Sequence, residues 1–232
     1  MLGSRDYREA DRIYTLFSKE EGLISVLAKG VRKPSARLSG VLESPLICEV
    51  FLVVGRRINR AAGSLVIDYL KNIRKDYEKM ILVRKVFKVL IELLSKEEAA
   101  PLLFDQLVFF LSYLDKTDQT NSHSLVASGV IWQIVIQSGL SPELYHCLNC
   151  QEKLKESDGR FFLSMEGFFC QHCFSKMTPR IKAIKLSSEA VKLLRVLAVK
   201  KLETVIKIKI SVNVSKELEQ AVQLLASKEN FT

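Results

Sequence analysis

Four cysteines stand in two pairs, Cys147-Leu-Asn-Cys150 and Cys170-Gln-His-Cys173, with nineteen residues between the pairs. A C-x-x-C knuckle turns two thiolates toward one point, and two knuckles supply the four soft donors of a closed, tetrahedral structural zinc site. Reduced buried cysteines or a redox pair are the plainer readings, but the doubled spacing favours metal. A catalytic zinc does not fit, because four thiolates leave no open position and no H-x-E acid–base motif accompanies the pairs. His146 and His172 adjoin the ligands and are candidates to compete for the ion, yet each would break a complete set of four sulfurs. The fifth cysteine, Cys48, lies in an apolar stretch and reads as a small core residue.

A second group of residues has the chemistry to hold polyanions. Lys29, Arg32, Lys33 and Arg37 surround Pro34, and Arg56, Arg57 and Arg60 cluster further along. Cations on two loops of one small domain can line a groove and reach successive phosphates, in contacts that are salt-sensitive and largely indifferent to sequence. Ordinary solvated loop charge is the plainer reading. Among the nearby aromatics, Phe17 and Phe51 fall in apolar stretches and read as core, leaving Tyr7 and Tyr14 as candidates for stacking on bases.

The bulk properties agree with a polyanion partner. The net charge is +9, and residues 1–75 carry 14 Lys+Arg against 8 Asp+Glu, so the excess is concentrated at the N-terminus. Nucleic acid, an acidic protein tail and an anionic membrane all remain open on charge alone. With 48% hydrophobic residues and only 5 prolines and 10 glycines the chain is of globular type, and 232 residues suffice for two modest domains. No apolar run approaches the ~18 residues of a membrane span, nor does the N-terminus carry a signal-peptide core, so a cytoplasmic location is expected. In that reducing compartment paired cysteines point to metal rather than disulfides. The phosphate-loop, dinucleotide, HExxH and GxSxG motifs are absent, which favours binding over catalysis.

Positioning these residues requires two kinds of structure. Short apolar bursts at Arg12–Phe17, Leu23–Ala28, Leu46–Val54 and Ile58–Ile67, with Glu21-Gly22 as a tight turn, predict an antiparallel β domain over residues 1–75. A small barrel of the OB-fold type closes such a sheet economically. From Tyr77 the period changes, and Met80, Val83, Phe87, Leu90 and Leu94 mark a helix from about Asp76 to Lys96. Further helices are expected at Pro101–Leu114, Leu125–Gln137, Ser187–Lys201 and Ser215–Ser227, with Leu114–Ser124 as a loop, Gly139 as a cap and Ser187 or Ser188 as an N-cap. The alternation across Val205–Val214 predicts a strand. The zinc module, about 141–178, is expected to close through a hairpin at Gly159–Gly167, inside a helical domain spanning 76–232.

The opening Arg5–Gly22 (RDYREADRIYTLFSKEEG), continuing through Leu23–Val31 into Arg32-Lys33-Pro34-Ser35-Ala36-Arg37, resembles the N-terminal domain of the RecO family. The run Ser138-Gly139-Leu140-Ser141-Pro142-Glu143-Leu144 into Cys147 and Cys150, then Gly167-Phe168-Phe169-Cys170 and Cys173, is similar to that family's helix-into-zinc junction. The resemblance covers about Leu2 to Pro179. It implies an OB-fold joined to a helical domain with an embedded zinc finger, and a non-enzymatic mediator that binds single- and double-stranded DNA. It further implies annealing of complementary strands and help in loading RecA onto DNA coated by single-strand-binding protein, with RecR and the C-terminal tail of single-strand-binding protein as partners. Lys29–Arg37 then falls in the DNA-binding domain and the four cysteines match the metal ligands. The chain opens at Met1-Leu2-Gly3, inside what would be the family's first strand, so that strand is expected to be shortened, begun at the wrong residue or completed by residues outside this sequence. Glu166-Gly167 stands where a doubled glycine is common, and Leu224–Thr232 only weakly echoes the family's basic ending. A zinc-ribbon module that binds RNA or protein is the alternative.

Overall fold

The computed structural model describes residues 1–33, 44–118, 120–155, 160–177 and 182–226. Two compact units account for the chain, Met1–Phe87 with Ser95–Thr117, and Lys88–Leu94 with Asp118–Thr232. No helix among the described residues is long and apolar enough to cross a membrane.

The first unit is built on five strands, β1 (Gly3–Tyr7), β2 (Asp11–Ser18), β3 (Gly22–Ala28), β4 (Ile47–Val53) and β5 (Asn59–Asp68). They form one sheet in the order β1-β2-β3-β5-β4, antiparallel throughout except for a short parallel contact between β3 and β5. Four of the five were legible as apolar bursts; β1, polar except for Tyr7, was not, and its placement comes from pairing with Asp11–Thr15. One face carries the core, where Tyr14, Leu16, Ile24, Val26, Ala28 and Leu46 are buried and Cys48, Val50, Leu52, Ala61 and Val66 pack against them. Each large side chain buried this way contributes about 1.5–3 kcal/mol.

The expected barrel is not closed. Among the described residues β1 pairs only with β2 and β4 only with β5, so the sheet keeps two free edges. They approach at one corner, where the Met1 amine donates to Leu46 O (2.7 Å) and Ser44 Oγ to Leu2 O (2.8 Å). Closure requires a first strand long enough to pair on both sides, and the five residues of β1 are all in register with β2.

Helices α1 (Lys71–Lys75), α2 (Tyr77–Leu93) and α3 (Pro101–Lys116) follow. Pro101 occupies the first turn of α3, where its missing N–H costs nothing. At the far end of α3 the Asp115 carboxylate accepts from the backbone N–H groups of Asn72 and Ile73 (2.9 and 3.0 Å), capping α1 where Leu70, a left-handed residue, offers no side-chain cap. Phe104 packs on Phe17 (6.0 Å between centroids), which covers one end of the outer sheet face. Gly22 holds the β2–β3 turn with φ +66°, and a Cβ there would lie 1.9 Å from Glu98 O, so only glycine fits.

The second unit contains α4 (Thr120–Gln137), β6 (Arg160–Leu163), β7 (Phe168–Cys170), α5 (Gln171–Ser175), β8 (Ile184–Ser187), α6 (Ser188–Val199), α7 (Leu202–Val205) and α8 (Val212–Leu225). Buried residues run along α4 without a break from Leu125 to Trp132, so this part of α4 is enclosed rather than amphipathic. Trp132 Nε1 donates to Leu194 O (3.0 Å), which satisfies the one polar atom of the largest buried side chain. Helix α4 extends further toward the N-terminus than its apolar period indicated, and α3 ends at Lys116, so the expected Leu114–Ser124 loop is largely helical. Ser187 is the N-cap of α6, its Oγ accepting from Ala190 N.

The strand expected at Val205–Val214 does not form. Its start closes α7 and its end opens α8, with Ser211 Oγ accepting from Val214 N as the N-cap. Alternation alone was ambiguous, and the longer pattern Val214, Leu218, Ala221, Val222 and Leu225 places one buried stripe on a helix.

Candidate metal centre

The loop after α4 and the strand–helix joint β7–α5 carry the two cysteine pairs. Helix α4 stops at the expected Gly139 (φ +83°), and the chain then lies against the β6–β7 turn: Glu143 N donates to Glu166 O (2.9 Å) and Phe168 N to Glu143 O (3.2 Å). This close approach explains the single glycine before the second pair. Gly167 has φ +147°, a conformation other residues rarely adopt, and a Cβ on it would come within 2.6 Å of Glu143 O. At position 166 only the backbone carbonyl is used, so glutamate is tolerated where the resemblance led us to expect a second glycine.

The first knuckle is the tip of a small ladder. His146 bridges Lys153, Cys147 N donates to Glu152 O (3.0 Å), and Gln151, with φ +59°, donates back to Cys147 O (2.9 Å). The Glu143 carboxylate accepts from Tyr145 N (2.6 Å) and His146 N (3.0 Å), and these N–H bonds hold it below the usual carboxylate range. Leu148 N donates to Phe168 O (2.9 Å), tying the knuckle to β7. The expected hairpin exists as β6 and β7, with residues 156–159 of its approach outside the described residues. Phe161 against Phe168 and Phe162 stacked on Phe174 (3.9 Å) give the module a small aromatic core.

These elements bring all four sulfurs within 4.8 Å of one another, with Cys150 and Cys170 4.0 Å apart. Metal–sulfur bonds of about 2.3 Å in a tetrahedron set sulfurs about 3.8 Å apart, so the cluster fits such an ion with small inward movements. Cys147 and Cys173 are buried, Cys170 half-buried and Cys150 exposed. Backbone N–H groups point at the sulfurs: Cys170 N at Cys147 Sγ and Cys173 N at Cys170 Sγ, each 3.4 Å, while Asn149 Nδ2 donates to Cys173 Sγ (3.4 Å). Burial pushes the Cys147 thiol up, but the N–H groups of Cys150, Cys170 and Asn149 and the Cys150 thiol outweigh it and hold Cys147 at about 6. Burial, with the Cys173 and Cys147 sulfurs beside it, drives Cys170 up to about 12. Four sulfurs this close ionise together only around a cation. Among the described residues the metal-competent group consists of the four cysteines, and neither His146 nor His172 joins it. His146 faces Glu143 instead (3.4 Å). Cys48 lies in the core of the other unit, where burial raises its thiol pKa.

Arg195, on α6, had no signal in the sequence beyond being a helical cation. Its guanidinium donates twice to Leu144 O (2.9 and 2.6 Å) and lies 4.9 Å from the centre of the Tyr145 ring, anchoring the first knuckle from the outside.

The basic residues are placed as follows. Lys29, Lys33, Arg56, Arg57 and Arg60 are exposed and make no ion pair among the described residues. Arg32 is partly engaged, by Glu9 O (3.2 Å) and Asp6 Oδ2 (3.5 Å). Arg37 lies outside the described residues, as does the Pro34 loop. The β3–β5 pairing sets Arg60 beside Leu27, two residues before Lys29, whereas Arg56 and Arg57 lie in the turn preceding β5. Two aromatic expectations are corrected: Tyr14 is 1% exposed and belongs to the core, while Phe51, expected inside, is 57% exposed because the outer face of β4 is uncovered.

Residues 1–65 match the family model described as Recombination protein O N terminal, and residues 74–227 match Recombination protein O C terminal. The DNA repair protein RecO of Dehalococcoides mccartyi (strain ATCC BAA-2266 / KCTC 15142 / 195) is 33% identical over 215 residues, 93% of this chain and 82% of that protein. The DNA repair protein RecO of Bacillus subtilis (strain 168) is 27% identical over 226 residues, 97% of this chain and 85% of that protein.

Proposed function

The chain belongs to the RecO family of DNA repair proteins, and on that premise we propose that it is a recombination mediator without catalytic turnover. It binds single- and double-stranded DNA, anneals complementary strands and helps load RecA onto DNA coated by single-strand-binding protein. RecR and the C-terminal tail of single-strand-binding protein are its protein partners, and its place of action is the cytoplasm, on the nucleoid. The observation that carries this reading is the pairing of both family matches with a four-cysteine cluster of the right geometry.

The basic region within residues 1–75 grips phosphates of both strands and lowers their mutual repulsion, so that complementary bases can meet. Lys29, Arg32, Lys33, Arg37, Arg56, Arg57 and Arg60 are the contacts, with Arg32 the weakest contributor because Asp6 and Glu9 O already engage it. Cys147, Cys150, Cys170 and Cys173 hold one zinc ion, whose chemistry there is structural: it neutralises the thiolates and locks the module at about 141–178 onto the helical unit.

Fluorescence anisotropy of labelled single-stranded DNA across a salt series, with a structured RNA as competitor, tests the reading. Tight binding that weakens steeply with salt and resists the RNA is expected, followed by accelerated annealing of complementary oligonucleotides. Binding lost to RNA competition, or no annealing at protein concentrations that saturate the strands, overturns it.

A further inference from the structure

The four clustered sulfurs differ in what can reach them. Cys147 and Cys173 are 0% and 5% exposed, Cys170 is half-buried at the end of β7, and Cys150 is exposed on the turn of the first knuckle. Oxidation of a thiolate follows its exposure, so attack by a small oxidant begins at Cys150. Within reach of it is Cys170 Sγ, 4.0 Å away and twenty residues further along, in the other pair. A disulfide sets its sulfurs about 2.0 Å apart, so a closure of about 2 Å joins the two. The exposed turn of Asn149 and Cys150 has solvent on one side and room to move.

The remaining sulfurs are poorer partners. Cys147 Sγ accepts the Cys170 N–H (3.4 Å), and the Cys147 backbone is held by Glu152 O (3.0 Å). Cys173 lies on α5, where its sulfur accepts from Asn149 Nδ2 (3.4 Å). Both are closed to water, which must supply the proton taken by the departing oxygen. Cys48 belongs to the other unit and packs against the core of the sheet.

We infer that Cys150 and Cys170 form a redox switch, in which a hydroperoxide joins them in a disulfide and dismantles the ligand set. The inference rests on the zinc reading above and goes beyond it. The Cys150 thiolate attacks one peroxide oxygen: an S–O bond forms, the O–O bond breaks, and the departing hydroxide takes a proton and leaves as water. The Cys170 thiolate then attacks the sulfur of the Cys150 sulfenic acid: the S–S bond forms, the S–O bond breaks, and a second proton carries off the hydroxide as water. The sulfurs are oxidised by two electrons and the peroxide is reduced to water. Cys147 and Cys173 remain as donors, half of a closed set. A disulfide within one knuckle would leave the knuckles free to part once the metal has gone. Bonding across the pairs keeps them tied, alongside the Leu148 N–H on Phe168 O, so the module loosens without coming apart and reduction restores the site.

The test uses the full chain loaded with zinc and treated with hydrogen peroxide, while a chromogenic chelator follows the free ion. Zinc is released in step with a disulfide that non-reducing peptide mapping places between Cys150 and Cys170, and dithiothreitol followed by zinc reverses both changes. The oxidised, zinc-free chain melts below the loaded protein and above the reduced protein stripped by chelator. Cys48→Ala, which leaves the cluster whole, releases its zinc as the parent does; a release that needs Cys48 overturns the switch. Zinc retained at peroxide concentrations that oxidise free glutathione overturns it too and leaves the zinc reading standing. A disulfide confined to Cys147 and Cys150, or a sulfinic acid that dithiothreitol does not reverse, also overturns it. A reduced chain that takes up no zinc overturns the zinc reading itself, and the switch with it.

Discussion

The two regions that carry this protein's chemistry are built on opposite plans. In the candidate metal module the cysteine cluster is fixed by its neighbours: a left-handed Gln151, a glycine pressed on Glu143, N–H groups aimed at sulfurs, and Arg195 bracing Leu144 from α6. In the N-terminal region the candidate DNA contacts that the structure describes are side chains in solvent, all but Arg60 on turns between strands, and, Arg32 apart, they make no ion pair among the described residues. Donors that must converge on one ion need a rigid cage, because displacement of a single sulfur forfeits the site. Cations that follow a phosphate backbone gain from freedom to adjust, since the ligand is extended and its charges repeat. Damage to the first region should therefore cost stability, and damage to the second should cost binding alone.

The largest effect expected is that of Cys147→Ser. Cys147 is fully buried and accepts an N–H from the second pair, so its loss abolishes metal binding and withdraws a contribution on the order of several kcal/mol from the second unit. Metal analysis by mass spectrometry together with thermal melting measures this; a variant that has lost its metal yet melts like the parent would break the comparison at its stronger end. Gly167→Ala comes next. The strain of a φ near +147° and the approach to Glu143 O predict destabilisation of about 3 kcal/mol, read from urea unfolding, with metal still bound in the folded fraction. The smallest effect on stability belongs to the cations. Lys29→Gln should shift the unfolding midpoint by no more than about 0.5 kcal/mol and reduce the salt slope on duplex DNA by about 0.9. Arg32→Gln should change the slope less, since Asp6 already competes for its guanidinium. A larger slope change for Arg32 than for Lys29 would show that the ion pair opens on binding, and that solvent exposure is a poor guide to which cations the DNA uses.

Much of this was written locally. The spacing of Cys147, Cys150, Cys170 and Cys173 determined a four-sulfur site, because a C-x-x-C knuckle converges two sulfurs whatever surrounds it, and the hairpin needed to join the pairs is near in sequence. Period-two bursts gave β2 to β5, and period-three-and-a-half stripes gave the helices that pack by one face. The polar β1 escaped the period-two reading and was expected, as a shortened first strand, from the family resemblance alone, since its stability derives from pairing with Asp11–Thr15 rather than from its own residues. The strand pattern of Val205–Val214 misled because its apolar positions also serve two helix ends.

The amino-acid sequence by itself determined which four cysteines cluster as candidate ligands, the basic character of the N-terminal region and the succession of strands then helices. Only the tertiary structure decided that the sheet stays open, that Tyr14 is inside and Phe51 outside, and that Arg195 braces the metal loop. The physical reason is range. Turn chemistry, knuckle geometry and amphipathic period act within a few residues, whereas the face a side chain presents depends on register and on which neighbouring element covers it, and both are settled by residues distant in the chain.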